Sequence, residues 1–177
     1  MKLVVYFYGY GSSAGTSDKV ARLRAGLVSS QVIAFEASID PDLAIQDVAD
    51  QITIELVDGR HSNATVIFVG TSLGGWLAAT LAEKFGVKAI LINPACDPKL
   101  TLGKLGIPDE ILAKYNRMPV LKSAKYFLAT RDEVLPPFAQ FIDPTELDID
   151  WFENATHRFN GPEFERVIDY INGLKAT

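Results

Sequence analysis

The chain has 177 residues, 48% of them hydrophobic and 22% charged. That is enough for one domain with a buried core, and it argues against a disordered chain. The formal net charge of −5 argues against nucleic acid or an anionic membrane as the main partner, because both reward basic surfaces. Cys96 is the single cysteine, so an intrachain disulfide is excluded and a reducing cytoplasm is the expected setting. No apolar run approaches the length of a membrane-spanning helix.

Residues 3–8 (L-V-V-Y-F-Y) form a continuous apolar run that stops at Gly9. The run is too short for the apolar core of a signal peptide, and no small-residue cleavage site follows. It reads as a first strand buried on both faces, as in parallel sheets. Residues 17–28 carry Val20, Leu23 and Leu27 at helical spacing, and residues 31–36 (Q-V-I-A-F-E) give a second strand. Asp40-Pro41 then marks a helix start, with aspartate able to cap free N–H groups and proline suited to the first turn. Ile45, Val48, Ile52 and Leu56 share one face of the helix that follows.

Residues 64–69 (A-T-V-I-F-V) give a third strand, a helix runs from 74 to 85, and residues 87–92 (V-K-A-I-L-I) give a fourth strand. The segment 93–123 is long and mixed. A short helix over 108–116 starts at Pro108 and buries Ile111, Leu112 and Tyr115. The segment reads either as an ordinary crossover or as a small lid over a substrate site. Residues 124–129 and 147–152 give a fifth and sixth strand. A last helix over 162–174 turns Phe164, Val167, Ile168 and Ile171 inward. Strands alternating with helices predict a single α/β domain over 1–177. It has about six parallel strands, right-handed crossovers and helices on both faces. Ligands of such sheets bind at the carboxyl ends of the strands.

The third strand runs into Gly70-Thr71-Ser72-Leu73-Gly74-Gly75. This is G-x-S-x-G between strand and helix, the pattern of a nucleophile elbow. A side chain at Gly70 or Gly74 would obstruct the tight turn, and the following helix offers N–H groups to a developing oxyanion. The innocent alternative is a glycine-rich turn with a bystander serine.

A serine needs a base, and the chain has two histidines, His61 and His157. His61 lies in a polar segment before the third strand, at the opposite end of the sheet, and reads as a solvated loop residue. His157 follows the sixth strand and shares the end of Ser72. Asp132, after the fifth strand, is the preferred partner for His157, with Glu133 and Asp97 as rivals. The order Ser72, Asp132, His157 is the one expected for α/β-hydrolases. The oxyanion donors would be the N–H groups of Leu73 and of Tyr10, the latter in the loop Gly9-Tyr10-Gly11-Ser12-Ser13. That loop lacks the lysine and spacing of a phosphate-binding P-loop. Two separated histidines and one cysteine give no metal-ligand spacing, so no metal or other cofactor is expected.

These segments resemble the YqiA/YcfP-type small esterases of the α/β-hydrolase superfamily. The likeness runs through the first strand with its G-Y-G-S-S loop and through G-T-S-L-G-G-W. It continues in Asn93-Pro94-Ala95-Cys96-Asp97-Pro98, Arg131-Asp132-Glu133-Val134-Leu135 and Thr156-His157-Arg158-Phe159. The resemblance implies a compact six-stranded fold, an esterase or thioesterase acting on a small acyl substrate, and Ser72, Asp132 and His157 as the triad. One departure falls at Tyr8-Gly9, where such proteins usually read histidine-glycine. It motivates a second reading, a hydrolase scaffold that binds a partner with little turnover.

Overall fold

A computed structural model of the chain describes residues 1–57 and 64–175. Six strands are present among these residues: β1 (Lys2–Phe7), β2 (Ser30–Phe35), β3 (Thr65–Thr71), β4 (Lys88–Ile92), β5 (Lys125–Ala129) and β6 (Asp148–Phe152). The helices are α1 (Lys19–Gly26), α2 (Pro41–Val57), α3 (Leu73–Phe85), α4 (Pro98–Gly103), α5 (Asp109–Lys114) and α6 (Phe164–Gly173). Two 3₁₀ turns, Phe138–Gln140 and Pro144–Glu146, lie between β5 and β6. His61 lies outside the described residues, as does the side chain of Leu56.

All strand pairs are parallel, in the order β2-β1-β3-β4-β5-β6. The sequence pattern of β1 explains its central place. Leu3, Val5 and Phe7 point into one core, and Val4 and Tyr6 into the other, all of them buried. The first core packs α2 and α3 through Ala44, Val48, Ile52, Leu77 and Leu81. The second packs α1 and α6 through Val20, Leu23, Phe164, Val167, Ile168 and Ile171. Helices therefore cover both faces, as alternation of strands and helices requires.

Lys2 is buried and donates from Nζ to the carbonyls of Ile171 (2.7 Å) and Asn172 (3.1 Å). The lysine satisfies the C-terminal end of α6, where a cation also meets the negative end of the helix dipole. At the β6 edge of the sheet, buried Lys125 ties β5 to β6 through Asp148 (2.6 Å) and Asp150 (2.7 Å). The Asp40 cap is also present, its Oδ1 accepting from the N–H of Asp42 at 3.0 Å.

The strand order changes direction at β1, whose successor in the chain lies on one side and β3 on the other. The loops leaving β1 and β3 therefore diverge and leave a crevice at the carboxyl ends of these strands. The segment between β4 and β5 departs from expectation by holding two short helices rather than one. α5 begins after Pro108 as expected and Tyr115 is buried, but Ile111 and Leu112 are only half-buried against the core, because the short helix packs at its edge. α4 was not foreseen, although Asp97-Pro98 repeats the signal that marked the start of α2.

Candidate active site

The crevice between β1 and β3 is a cleft of about 340 Å³. Ser72, His157, Gly9, Tyr10 and Leu73 all line it. Ser72 joins β3 to α3 with φ 56° and ψ −120°. A non-glycine residue holds such a backbone only when its surroundings impose it, at a cost of about 1–3 kcal/mol. The surroundings here do so. The Ser72 N–H donates to the Ile92 carbonyl (3.0 Å), and the Ser72 carbonyl accepts from the N–H groups of Gly75 (2.9 Å) and Ala95 (3.0 Å).

The two flanking glycines answer to close approach. A Cβ on Gly70 would lie 2.0 Å from the Gly74 carbonyl oxygen, and a Cβ on Gly74 would lie 2.1 Å from that of Phe7. No side chain fits at either position. Beneath the elbow the Tyr6 and Thr71 hydroxyls meet at 3.0 Å, both buried. Tyr8 stands on Tyr6 edge-on, with ring centroids 5.2 Å apart, and is itself only 5% exposed. Aromatic packing thus supports the loop that begins at Gly9.

His157 sits in the loop between β6 and α6. Its Nδ1 lies 2.7 Å from Asp132 Oδ2, and both side chains are 12% exposed. The other carboxylate oxygen of Asp132 accepts from the N–H groups of Val134 and Leu135, each at 2.8 Å. Burial pushes the Asp132 carboxyl up, but hydrogen bonds from His157, Leu135 and Val134 outweigh it and hold the group below its ordinary value. Asp132 is therefore a carboxylate at neutral pH and a fixed acceptor for the imidazole.

The rivals fall elsewhere. Glu133 accepts from the backbone N–H of His157 at 2.8 Å, gripping the main chain of the histidine rather than its ring. Asp97 pairs with Arg117 Nε at 3.3 Å. No hydrogen bond joins the Ser72 hydroxyl to His157 among the described residues. Such contacts are commonly long in a free site and tighten with substrate. The N–H groups of Tyr10 and Leu73 likewise donate no hydrogen bond among the described residues, so both stand free at the cleft.

Sequence reasoning missed Asn93, which is 3% exposed and has φ 40°. Its Nδ2 donates to the carbonyls of Thr156 (3.2 Å) and His157 (3.0 Å), and its Oδ1 accepts from the Ala129 N–H (2.7 Å). Asn93 thereby bolts the ends of β4 and β5 to the histidine loop. The available signal was an asparagine at a strand end before proline. The segment 93–123, read as a crossover or a lid, does line the cleft, through Pro98, Thr101, Leu102 and Leu105 of α4 and the turn after it, residues that do not stand out in the sequence. Trp76 is core, 3% exposed, with Nε1 donating to the Asn116 carbonyl at 2.8 Å. Burial pushes the Cys96 thiol up to about 12, so it stays protonated and is not a reactive thiolate. Among the described residues no three histidine, cysteine or carboxylate side chains gather as metal donors. Nor is any helix among them long and apolar enough to cross a membrane.

Comparison with solved structures places the fold. The mouse alpha/beta hydrolase domain-containing protein 10 superposes with a TM-score of 0.67 at 19% identity, over 96% of this chain and 88% of that one. The RedJ thioesterase from the prodiginine pathway of Streptomyces coelicolor gives 0.60 at 13% identity, over 97% and 89%. A parallel six-stranded sheet with a strained serine after β3 is the α/β-hydrolase fold. Within that fold, the chain belongs to the family described as "Uncharacterised protein family (UPF0227)", whose pattern matches residues 3–171. A UPF0227 protein of Shewanella sp. (strain MR-4) is 25% identical over 183 residues, spanning 98% of this chain and 99% of the relative.

Proposed function

We propose that the protein is a serine hydrolase that cleaves small carboxylic esters or thioesters. One observation carries the reading: Ser72, on a strained elbow, shares a cleft with His157, whose imidazole is held from behind by the ionised Asp132. Ser72 Oγ attacks the acyl carbon while His157 Nε2 accepts its proton. Asp132 fixes the Nδ1–H tautomer and stabilises the imidazolium. The N–H groups of Tyr10 and Leu73 receive the oxyanion, where the positive end of α3 adds to the field. The imidazolium then gives its proton to the departing alcohol or thiol. Water, activated by the same histidine, attacks the acyl-serine, and the acid leaves with Ser72 regenerated. Every proton in this cycle passes through His157, so no cofactor is needed.

The cleft volume suits a short acyl group. A fluorophosphonate probe and a short 4-nitrophenyl ester test the proposal together. Wild type is expected to label and to turn over the ester. Ser72→Ala is expected to lose labelling and at least about 10³-fold in kcat. A folded wild-type protein without Ser72-dependent labelling or turnover would falsify the hydrolase reading and leave a binding scaffold in its place.

A further inference from the structure

Three lysines are buried among the described residues: Lys2, Lys19 and Lys125, at 7%, 6% and 6% exposure. Lys2 and Lys125 spend their ammonium groups on carbonyls and carboxylates within the fold. Lys19, in the first turn of α1, makes no hydrogen bond or ion pair from its ammonium among the described residues. What it faces is the ring of Phe164, with Nζ 5.8 Å from the centroid. A buried charge without a partner is costly, and folded proteins seldom keep one without a use. Lys19 is also the one buried lysine that lines the Ser72 cleft.

The charges around it do not neutralise it from within. Arg22 is engaged by Glu165 and by the carbonyls of Asn160 and Gly161. The Glu163 carboxylate accepts from the Gly161 N–H. Asp18, the neighbouring acid, is exposed and also lines the cleft. It and Glu163 act on the Lys19 charge from a distance, without a hydrogen bond or ion pair to it among the described residues. Arg158, exposed at the rim, lines the cleft beside Lys19. Burial lowers the Lys19 ammonium below its ordinary value, the response of a cation short of a counter-charge.

The two walls of the cleft differ in kind because they come from opposite faces of the sheet. Leu102 of α4 belongs to the core with α2 and α3, and with Pro98 and Leu105 it makes an apolar wall. The other wall comes from the start of α1 and from the loop before α6, and carries Ser17, Asp18, Lys19, Arg158 and Asn160, two cations against one exposed carboxylate. A neutral alkyl ester would satisfy the first wall and leave Lys19 bare.

We propose that the preferred substrate is an ester or thioester bearing an anionic group, carboxylate or phosphate, which Lys19 binds from within the cleft and Arg158 from its rim. This rests on the hydrolase reading of Ser72. The anion supplies the partner that Lys19 lacks, and the apolar wall takes the hydrocarbon part. An ammonium freed of water by burial binds an anion more strongly than an exposed one does.

Matched substrate pairs test it. One pair is the 4-nitrophenyl half-ester of adipic acid against 4-nitrophenyl pentanoate, with the charge on the acyl part. The other is the butyrate ester of 4-hydroxyphenylacetic acid against that of its amide, with the charge on the leaving part. Wild type is expected to favour the anionic member of one pair by about tenfold or more in kcat/KM. Lys19→Met is expected to collapse that ratio, and Lys19→Arg to keep part of it. The Met variant removes an unpaired buried charge, so its melting temperature should hold or rise.

Calorimetry on Ser72→Ala protein, titrated separately with adipate and with inorganic phosphate, provides a readout independent of turnover. Binding of either that disappears in Ser72→Ala/Lys19→Met supports the site and tells carboxylate from phosphate. Equal turnover within both pairs, or a ratio unchanged by Lys19→Met, overturns the proposal. If no ester is turned over, the hydrolase reading fails, and calorimetry alone decides the anion site: no binding overturns it.

Discussion

Asn93 and Glu133 act on the backbone of His157, one on its carbonyl and one on its N–H. Neither touches the imidazole, so they are positioning residues. If His157 is the base of the proposed hydrolase, their loss should disturb where it sits more than how substrate binds. Asn93→Asp keeps the acceptor for the Ala129 N–H and tolerates positive φ, but sets a carboxylate against the carbonyls of Thr156 and His157. We expect kcat to fall by about 10–100-fold while KM changes little, since small misplacements of a catalytic group carry costs of this size. Glu133→Gln keeps one acceptor oxygen and should recover most of the rate that Glu133→Ala loses. Steady-state kinetics on folded variants checks both. A rise in KM at constant kcat would instead assign these side chains to substrate binding. The sequence placed Ser72, Asp132 and His157 at one end of the sheet because strand ends are legible from apolar runs. It preferred Asp132 but kept Glu133 as a rival, because adjacent residues differ only in where the turn points them. Here one carboxylate meets the ring and the other the main chain. Asn93 and Lys19 were invisible for a related reason. Their significance lies in what they touch, or fail to touch, across long stretches of chain.

The elbow is the element on which the site depends, and its tolerance is set by backbone contacts. Gly70→Ala places a methyl group 2.0 Å from a carbonyl oxygen, a distance that forces β3 away from α3. The variant is expected to lose several kcal/mol of stability, at or beyond the upper end of typical single substitutions (~4 kcal/mol). Denaturant titration measures this directly. Gly86→Ala gives the contrast: its φ of 66° is strained, but nothing lies within 4 Å of the added methyl, so the loss should be about 1 kcal/mol. Elements of strong pattern were read within a residue or two of their ends. α4 escaped because six residues, Pro98–Gly103, hold less than two helical turns and show no period. Its Asp-Pro start was present but gave a weaker signal than at α2, where a long amphipathic face followed. The wall that α4 contributes to the cleft was therefore not legible, though the segment 93–123 was already marked as a lid or crossover.

At the scale of the whole molecule, alternating apolar strands and amphipathic helices determined the layers, but the strand order was beyond reach of local pattern. That order matters, because the reversal at β1 opens the cleft between the loops after β1 and β3. The assembled fold also has a definite response to acid. Among the described residues three aspartates lie below their ordinary value of 3.8. Asp40 is lowered by Lys114. Asp132 is raised by burial but lowered further by His157 and two N–H groups. Asp143 is lowered by Thr145. Each is harder to protonate in the folded chain than in the unfolded one, so the unfolded chain takes up protons first as pH falls. Their stabilisation is complete above about pH 5, declines as pH passes below the unfolded value, and is gone once pH falls below the folded values. Melting temperatures are expected to drop from about pH 4 downward. Asp132 is the least exposed of the three carboxyls, so Asp132→Asn isolates its part. The gap in melting temperature between wild type and Asp132→Asn should be widest near neutrality and narrow toward pH 2.5. A gap that stays constant across that range would mean that Asp132 is not held in its ionised form by the contacts that steady His157.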